Sequence, residues 1–209
     1  MTGPHACSDA ELISSFEGSA AIPTLLRLIA RGRPVDLAEL ATESGQPTTD
    51  LERMLKAQPG TEWDDEGRLV GFGLSLRPTA HRYLLGGQTL YTWCATDTLL
   101  FTVILGTDAV AESTCPVTGL PIRLDIAPDA VTSVSPAAAV VSQRHRGDLA
   151  ANLRADVCDH GHFFASAAAA SAWLAAHPDG EILSVTDAFG SSRTACEKLG
   201  WLVPGTTGR

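Results

Sequence analysis

The stretch "LYTWCATDTLLF", Leu90–Phe101, decides the fold and raises a chemical question. Its first residues are typical of a strand, and an apolar helical run then follows from the cysteine as far as Gly106, a natural helix terminator. Cys94 and Asp97 are spaced three apart, and residues at that spacing share one face of a helix. The stretch therefore predicts a strand followed by a buried helix, with a thiol and a carboxyl side by side where the helix begins.

The segments around this stretch predict a mostly antiparallel sheet with packed helices. Immediately before the helix, "RYLLGGQTLYT" reads as a hairpin with Gly86-Gly87 at its turn. After it, four strand-like pieces are separated by Pro and Gly: "AVAEST", "LPIRLDIA", "AVTSVS" and "AAVVSQ". A helix "AAAASAWLAAHP", a strand "EILSV" and an interrupted helix "DAFGSSRTACEKLGW" close the chain. Residues 81–209 are thus predicted to form one α+β domain.

The first part of the chain has a different pattern, with three helices followed by a hairpin. The helices are "AAIPTLLRLIARG", "LAELATES" capped by Asp36, and "DLERMLKAQ" capped by Thr48 or Thr49. The hairpin is "TEWDDEGRLVGFGLSL". This order is that of a winged helix. The predicted fold class is therefore α+β: an N-terminal winged-helix-like helical domain over residues 1–80, followed by the mostly antiparallel β-sheet domain.

A winged helix suggests DNA binding, but the charges argue against it. The chain carries a net charge of −9 with a sequence pI of about 5.0. Residues 1–80 hold seven Lys/Arg against twelve Asp/Glu, whereas a DNA reader needs a basic footprint. Such a surface also repels anionic lipid. We expect neither a nucleic-acid nor a membrane partner.

The sequence also predicts a cytoplasmic location. No run approaches the ~18 unbroken apolar residues of a membrane span. The opening "MTGPHACSDAELISSFEG" lacks the basic patch and apolar block of a secretion signal.

The chain has five cysteines, which are Cys7, Cys94, Cys115, Cys158 and Cys196. Their number is odd, and no two of them form a CxxC pair. A standard zinc site and a thioredoxin-type redox motif are therefore not indicated. Thiols kept reduced in the cytosol need another explanation, which is either burial or chemistry.

Two alternatives stand for each candidate group. Asp97 is either a carboxyl whose pKa is raised by partial burial, and which can then shuttle protons, or a helix cap beside a core cysteine. Cys158 lies in the polar segment "DVCDHGHFF". In that segment His160 and His162 share one face if extended, and they are either metal ligands or ordinary hydrogen-bonded histidines.

Three segments, taken in order, resemble the alkylmercury (organomercurial) lyase family. They are "LYTWCATDTLLF", "CPVTGLPI" and "DVCDHGHFFAS". The resemblance covers about residues 21–190. It implies a catalytic set of Cys94, Asp97 and Cys158, which are also the residues that contact mercury.

The remaining cysteines have no catalytic part in this resemblance. Cys115 matches a cysteine that is structural in the family. Where some members carry a second cysteine beside the late one, this chain has Asp159. Cys7 and Cys196 match nothing, and the simplest interpretation is that both are unpaired thiols.

The resemblance implies protonolysis of a carbon–mercury bond, giving a hydrocarbon and Hg(II). Thiolates suit mercury because both are soft, and Asp97 would move the proton. The family needs no resident cofactor, and Hg(II) is bound as product. The implied partners are an organomercury substrate, small cytosolic thiols needed for turnover and a mercuric reductase as Hg(II) acceptor. Trp93, Phe101, and Phe163 or Phe164 are candidate walls for the organic group.

Other functions use some of the same features. A soft-metal binding or carrier protein would need the cysteine pair without catalysis, and it has no need of Asp97. A winged-helix regulator that senses metal, and a lyase scaffold without activity, are further alternatives. Hydrocarbon release separates the lyase from the carrier, and a band-shift assay tests the regulator.

Overall fold

A computed structural model describes residues 20–144 and 152–202 of the chain. These residues form an α+β fold in which a helical N-terminal part precedes an antiparallel sheet flanked by helices. The predicted fold class is confirmed.

The N-terminal part has the predicted order of three helices and a hairpin. Its elements are α1 (Ala21–Ile29), α2 (Leu37–Ser44), α3 (Thr48–Lys56), β1 (Glu62–Trp63) and β2 (Leu69–Phe72). The apolar face of α1 is buried against the rest of the protein.

The predicted cap of α3 is wrong. The helix begins at Thr48, and Pro47 occupies the capping position in an extended conformation without a side-chain hydrogen bond. Proline has a fixed φ that suits the entry into a helix, so no threonine cap is needed there.

Within residues 20–144 and 152–202, the large sheet has eight strands, all paired antiparallel, in the order β1-β2-β3-β5-β4-β6-β7-β8. Gly86 and Gly87 both have positive φ, as the predicted tight hairpin turn requires. Leu74 of β3 pairs with Thr92 of β5, so the sheet is continuous across residue 80. The domain division at residue 80 stays a prediction. The further strands are β3 (Leu74–Ser75), β4 (His81–Leu85), β5 (Gln88–Thr92), β6 (Ala109–Thr114), β7 (Pro121–Ile126) and β8 (Val131–Ser135).

A second, three-stranded sheet in the order β10-β9-β11 lies beside the helices, and the sequence did not separate it from the first. The central helix α4 packs against α1 and the C-terminal helix α7, which places the start of α4 in the interior. The remaining elements are α4 (Ala95–Leu105), β9 (Val140–Arg144), α5 (Leu153–Asp156), a 3-10 turn (Cys158–His160), β10 (Phe163–Phe164), α6 (Ala167–Ala176), β11 (Gly180–Ser184) and α7 (Val185–Leu199).

The last helix is continuous, which corrects the predicted interruption. It runs through Gly190, and the Ser184 hydroxyl caps its start by accepting a hydrogen bond from the Asp187 amide at 3.1 Å. One glycine costs a helix only about 1 kcal/mol. Burial of the face that carries Ala188 and Phe189 therefore outweighs it.

Among the described helices, none combines the length and the apolar character that crossing a bilayer demands.

Candidate active site

The local part of the site is the start of α4. Cys94 leaves β5 in an extended conformation and occupies the N-cap position. Its sulfur accepts a hydrogen bond from the Asp97 amide at 3.4 Å, and the Asp97 carboxylate accepts one from the Cys94 amide at 3.1 Å. This reciprocal pair is a capping box in which a thiol replaces the usual hydroxyl. The structural and the chemical interpretations of Asp97 are thus compatible.

The structure brings the three predicted site residues together. Cys158 lies on the 3-10 turn and is buried. Its sulfur, the Cys94 sulfur and an Asp97 carboxylate oxygen all lie within 4.8 Å of one another. Two soft ligands and one carboxylate therefore lie close enough together to bind a single metal ion.

Gly161 holds the Cys158 segment against the start of α4. Its carbonyl accepts a hydrogen bond from the Ala95 amide at 3.0 Å. A Cβ at position 161 would lie 2.8 Å from the Cys94 Cβ. Residue 161 is therefore a glycine because its backbone lies directly against Cys94.

Ser142 of β9 fixes the same segment from the other side. Its hydroxyl accepts a hydrogen bond from the His162 amide at 2.9 Å, and its amide donates to the His162 carbonyl at 2.9 Å. Sequence reasoning missed both Ser142 and Gly161. The only available signal was a glycine between two histidines.

A buried carboxylate links the N-terminal hairpin to the site. Glu62 accepts hydrogen bonds from the Trp93 indole at 3.0 Å and from the Ser75 hydroxyl at 2.5 Å. It also forms an ion pair with Arg154, whose guanidinium lies 5.2 Å from the centre of the Trp93 ring. Sequence reasoning missed this network because its members come from distant segments.

Electrostatics favour protons on the site. Burial raises the pKa of Asp97 to about 6, although hydrogen bonds from Cys94 oppose the shift. The hydrogen bond to Cys158, burial and the Asp97 charge all raise the pKa of Cys94. For Cys158 the hydrogen bond from Cys94 lowers the pKa, but burial with the Asp97 and Asp159 charges raises it overall. Because the two thiols and the carboxyl lie so close together, the protonation state of one affects the pKa of the others.

An apolar cavity of about 120 Å³ opens beside the cluster. Asp97 and Cys158 lie at its edge, and Asp97 is partly accessible through it. Two predicted walls, Trp93 and Phe101, line the cavity. The other lining side chains include Ile22, Leu26, Phe72, Leu100, Ala195 and Leu199.

The third predicted wall, Phe163 or Phe164, does not line this cavity. Phe163 and Phe164 are buried in the three-stranded sheet, and their packing there keeps them away from the site.

The two histidines after Cys158 have other contacts. A His160 ring nitrogen lies 3.2 Å from one of His177, and the His162 ring packs edge-on against Phe164. Within residues 20–144 and 152–202, Cys94, Asp97 and Cys158 form the one group of three metal-ligand side chains that converge, and neither imidazole belongs to it.

The remaining cysteines lie apart from the cluster. Burial raises the pKa of Cys196 to about 12, which keeps its thiol protonated at neutral pH. Burial also raises the pKa of Cys115, but hydrogen bonds from Thr118 and nearby backbone amides outweigh it and lower the pKa to about 7. The structural role of Cys115 stays a prediction. Cys7 lies outside the described residues.

The fold and the site first define a class: an α+β protein that can hold one soft metal ion between two thiols beside a carboxyl. Comparison with known proteins makes this specific. The alkylmercury lyase family model matches residues 74–197, and that of the helix-turn-helix domain of alkylmercury lyase matches residues 14–73. The chain belongs to the alkylmercury lyase family.

Individual relatives agree with this assignment. The chain is 42% identical over 195 residues to an alkylmercury lyase of Streptomyces lividans, covering 90% of both chains. It is 44% identical over 165 residues to one of Bacillus cereus, covering 79% of this chain and 75% of the relative. A crystal structure of the mercury-bound form of MerB2 is similar with a TM-score of 0.75 and 27% identity, covering 91% of this chain and 96% of the other. The predicted family is confirmed, and the carrier alternative is not favoured.

Proposed function

We propose that the protein cleaves the carbon–mercury bond of organomercury compounds by protonolysis, giving a hydrocarbon and Hg(II). Cys94 and Cys158 bind mercury, and Asp97 transfers the proton. The observation that carries the proposal is the convergence of two sulfurs and one carboxylate oxygen within 4.8 Å at the edge of an apolar cavity.

The first step is ligand exchange at mercury. The Cys94 sulfur replaces the leaving ligand of R–Hg–X, and the thiol proton departs with X. Although the hydrogen bond to Cys158, burial and the Asp97 charge raise the pKa of Cys94, the Asp97 amide at the start of α4 donates to its sulfur, which offsets part of that rise and helps the developing thiolate.

The second step uses the remaining thiol and the carboxylate. Asp97 takes the proton of Cys158 as that sulfur bonds to mercury, and it passes the proton to the carbon. The Hg–C bond breaks, R–H leaves, and Hg(II) stays on two sulfurs. Since the pKa of Asp97 is raised to about 6, the carboxylate is a better base than an ordinary aspartate, and its acid form can still donate.

The apolar cavity gives the organic group a place to bind. Its aromatic and aliphatic walls surround the space next to Asp97 and Cys158. Transfer of an alkyl or aryl group from water to such a wall is favourable by about 25 cal/mol for each Å² buried. Mercury is thereby positioned at the thiols with its carbon facing the carboxyl.

This proposed chemistry needs no redox cofactor, because no oxidation state changes, and it needs no resident metal, because the two thiols bind mercury and Asp97 carries the proton. Hg(II) held by two thiolates leaves only when a competing soft ligand takes it. Small cytosolic thiols are the ligands that we propose for this step. A mercuric reductase is the acceptor that we propose downstream, since reduction of Hg(II) would consume the product.

The experiment is gas chromatography of the headspace above enzyme, methylmercury and excess small thiol. We expect methane in amounts far above the enzyme concentration. Stoichiometric binding of methylmercury without any methane would contradict the proposal and would support a carrier.

A further inference from the structure

A second cavity, which we call the polar cleft, lies between the N-terminal hairpin and the segment that carries Cys158. It has a volume of about 480 Å³, and its lining includes Gly60, Glu62, Trp63, Arg77, Arg154 and Asp159. The Trp93 ring and the Arg154 guanidinium stack where the polar cleft adjoins the apolar cavity. Asp159 directly follows Cys158, so the polar cleft lies next to the segment that carries one of the two sulfurs of the site.

Among the described residues that line the polar cleft, Arg77 is the one cation without a carboxylate partner. Arg77 is exposed, and its guanidinium donates to the Trp63 carbonyl at 2.6 Å. No carboxylate of the described residues forms an ion pair with it. The Arg154 charge is already balanced by buried Glu62. Arg77 is therefore the group in the polar cleft that can bind an anion.

The polar cleft also presents an exposed carboxylate beside Cys158. The Asp159 side chain is 55% exposed, and its carboxylate lies 3.7 Å from Arg154. At that separation and exposure the ion pair is weak. Asp159 can therefore bind a further cation from solution at the position that directly follows Cys158 in the chain.

The chemistry of product release requires a second soft ligand to reach Hg(II). A charged thiol cannot use the apolar cavity, because burying an unpaired charge there costs several kcal/mol. The polar cleft has the two charges that such a thiol would need, one of each sign.

We propose, on the basis of the proposed function, that the polar cleft binds an amino-acid-type thiol, with its carboxylate on Arg77, its ammonium on Asp159 and its sulfur directed at mercury on Cys158. Two molecules R′SH each give a sulfur to Hg(II), the two Hg–S bonds to the enzyme break, and Hg(SR′)₂ leaves. The two protons of the incoming thiols pass to Cys94 and Cys158. No electrons are transferred overall.

The test measures removal of one equivalent of Hg(II), preloaded on the full chain, by four small thiols. Cysteine carries both charges, 3-mercaptopropionate the carboxylate, cysteamine the ammonium, and 2-mercaptoethanol neither. Because each variant is compared with the parent for the same thiol, differences in intrinsic thiol reactivity cancel.

In Arg77→Gln we expect the rate advantage of the carboxylate-bearing thiols over 2-mercaptoethanol to fall about 3- to 10-fold, the size of a solvated charge-assisted contact. Arg77→Lys should restore part of it. In Asp159→Asn the advantage of the ammonium-bearing thiols should fall by a similar factor. Arg27→Gln removes an exposed arginine that lines neither cavity and should keep the parental ratios.

Unchanged thiol ratios in both Arg77→Gln and Asp159→Asn would overturn the proposal. This readout starts from Hg(II), so it does not depend on carbon–mercury cleavage. If the parent releases no hydrocarbon from methylmercury in a single turnover, the proposed function fails. If it releases hydrocarbon while the ratios stay unchanged, only the thiol site fails.

Discussion

The two halves of the site are built in different ways. Cys94 and Asp97 form a capping box, so the helix that they begin also fixes their geometry. Cys158 has no such local support, and its position depends on contacts that Gly161 and Ser142 make with distant segments. The local half should therefore tolerate substitutions elsewhere in the protein, whereas the Cys158 half should be sensitive to them.

The largest effect is expected from replacing either sulfur. Cys94→Ser retains a hydroxyl that can cap α4, so the variant should fold normally, and Cys158→Ser also changes only one buried atom. Both lose a soft ligand, and we expect single-turnover benzene release from phenylmercury to fall at least about a thousandfold. Cys196→Ala, which removes a buried thiol outside the site, is the control. A rate near that of the parent in either serine variant would contradict the assignment.

The next effect separates proton transfer from metal binding within the local half. Asp97→Asn keeps an oxygen that can accept the Cys94 amide, but it cannot carry a proton to carbon. We expect turnover to fall about 10²- to 10⁴-fold, while Hg(II) binding measured by competition with a small thiol stays close to that of the parent. If hydrocarbon release matches the parental rate, Asp97 is a structural cap only.

The dependence of the Cys158 half on tertiary contacts is tested by Gly161→Ala. The added Cβ would lie 2.8 Å from the Cys94 Cβ, so the two segments must move apart. A displacement of about 1 Å can cost roughly 100-fold in rate. Gly190→Ala is the matched control, because a Cβ there meets nothing within 4 Å and lies in a helix. Equal rates for the two variants would show that the contact at Gly161 is unimportant.

The pH dependence of the free energy of unfolding is expected to show a smaller effect, whose sign follows from the Asp97 pKa. The folded-state pKa of Asp97, about 6, lies above the ordinary value of 3.8, so its ionisation destabilises the folded protein. This penalty is complete above about pH 6 and disappears as the pH falls below the ordinary value. Asp97→Asn lacks it. The free energy of unfolding of Asp97→Asn minus that of the parent, measured with urea, should therefore be larger at pH 7.5 than at pH 4. A difference that is larger at pH 4 than at pH 7.5 would contradict the raised pKa of Asp97.

The smallest effect on the chemistry is expected at Cys115, which lies outside both halves. Cys115→Ser replaces a buried sulfur that takes part in several hydrogen bonds. The melting temperature should fall by roughly 2–4 °C for each kcal/mol of stability that the protein loses. The rate of benzene release should stay within about twofold of the parental rate. A large loss of rate at an unchanged melting temperature would contradict the structural role.

The sequence predicted the features that neighbouring residues determine and missed those that depend on contacts between distant segments. The capping box is encoded by adjacent residues, so the spacing of Cys94 and Asp97 was sufficient to place them together. The Gly86-Gly87 turn was equally local. The pairing of Glu62 with Arg154, by contrast, joins residues 92 positions apart, and no local pattern marks it. The approach of Cys158 to Cys94 was expected only from the family resemblance.

The wrong predictions for individual helices and strands also arose because tertiary packing is not visible in the local sequence. Gly190 suggested an interrupted helix because its intrinsic propensity is poor, but packing of α7 against α4 overrides one glycine. Phe163 or Phe164 was predicted to be a wall for the organic group. In the structure they are part of β10, a strand that sequence reasoning could not assign to a separate sheet.

The most direct test of the central claim is mercury X-ray absorption spectroscopy of the protein loaded with one equivalent of Hg(II). Two sulfur ligands are expected in the parent, and one protein sulfur in each of Cys94→Ser and Cys158→Ser. A two-sulfur signal that persists unchanged in Cys158→Ser would show that mercury is held elsewhere and that Cys158 is not one of its ligands.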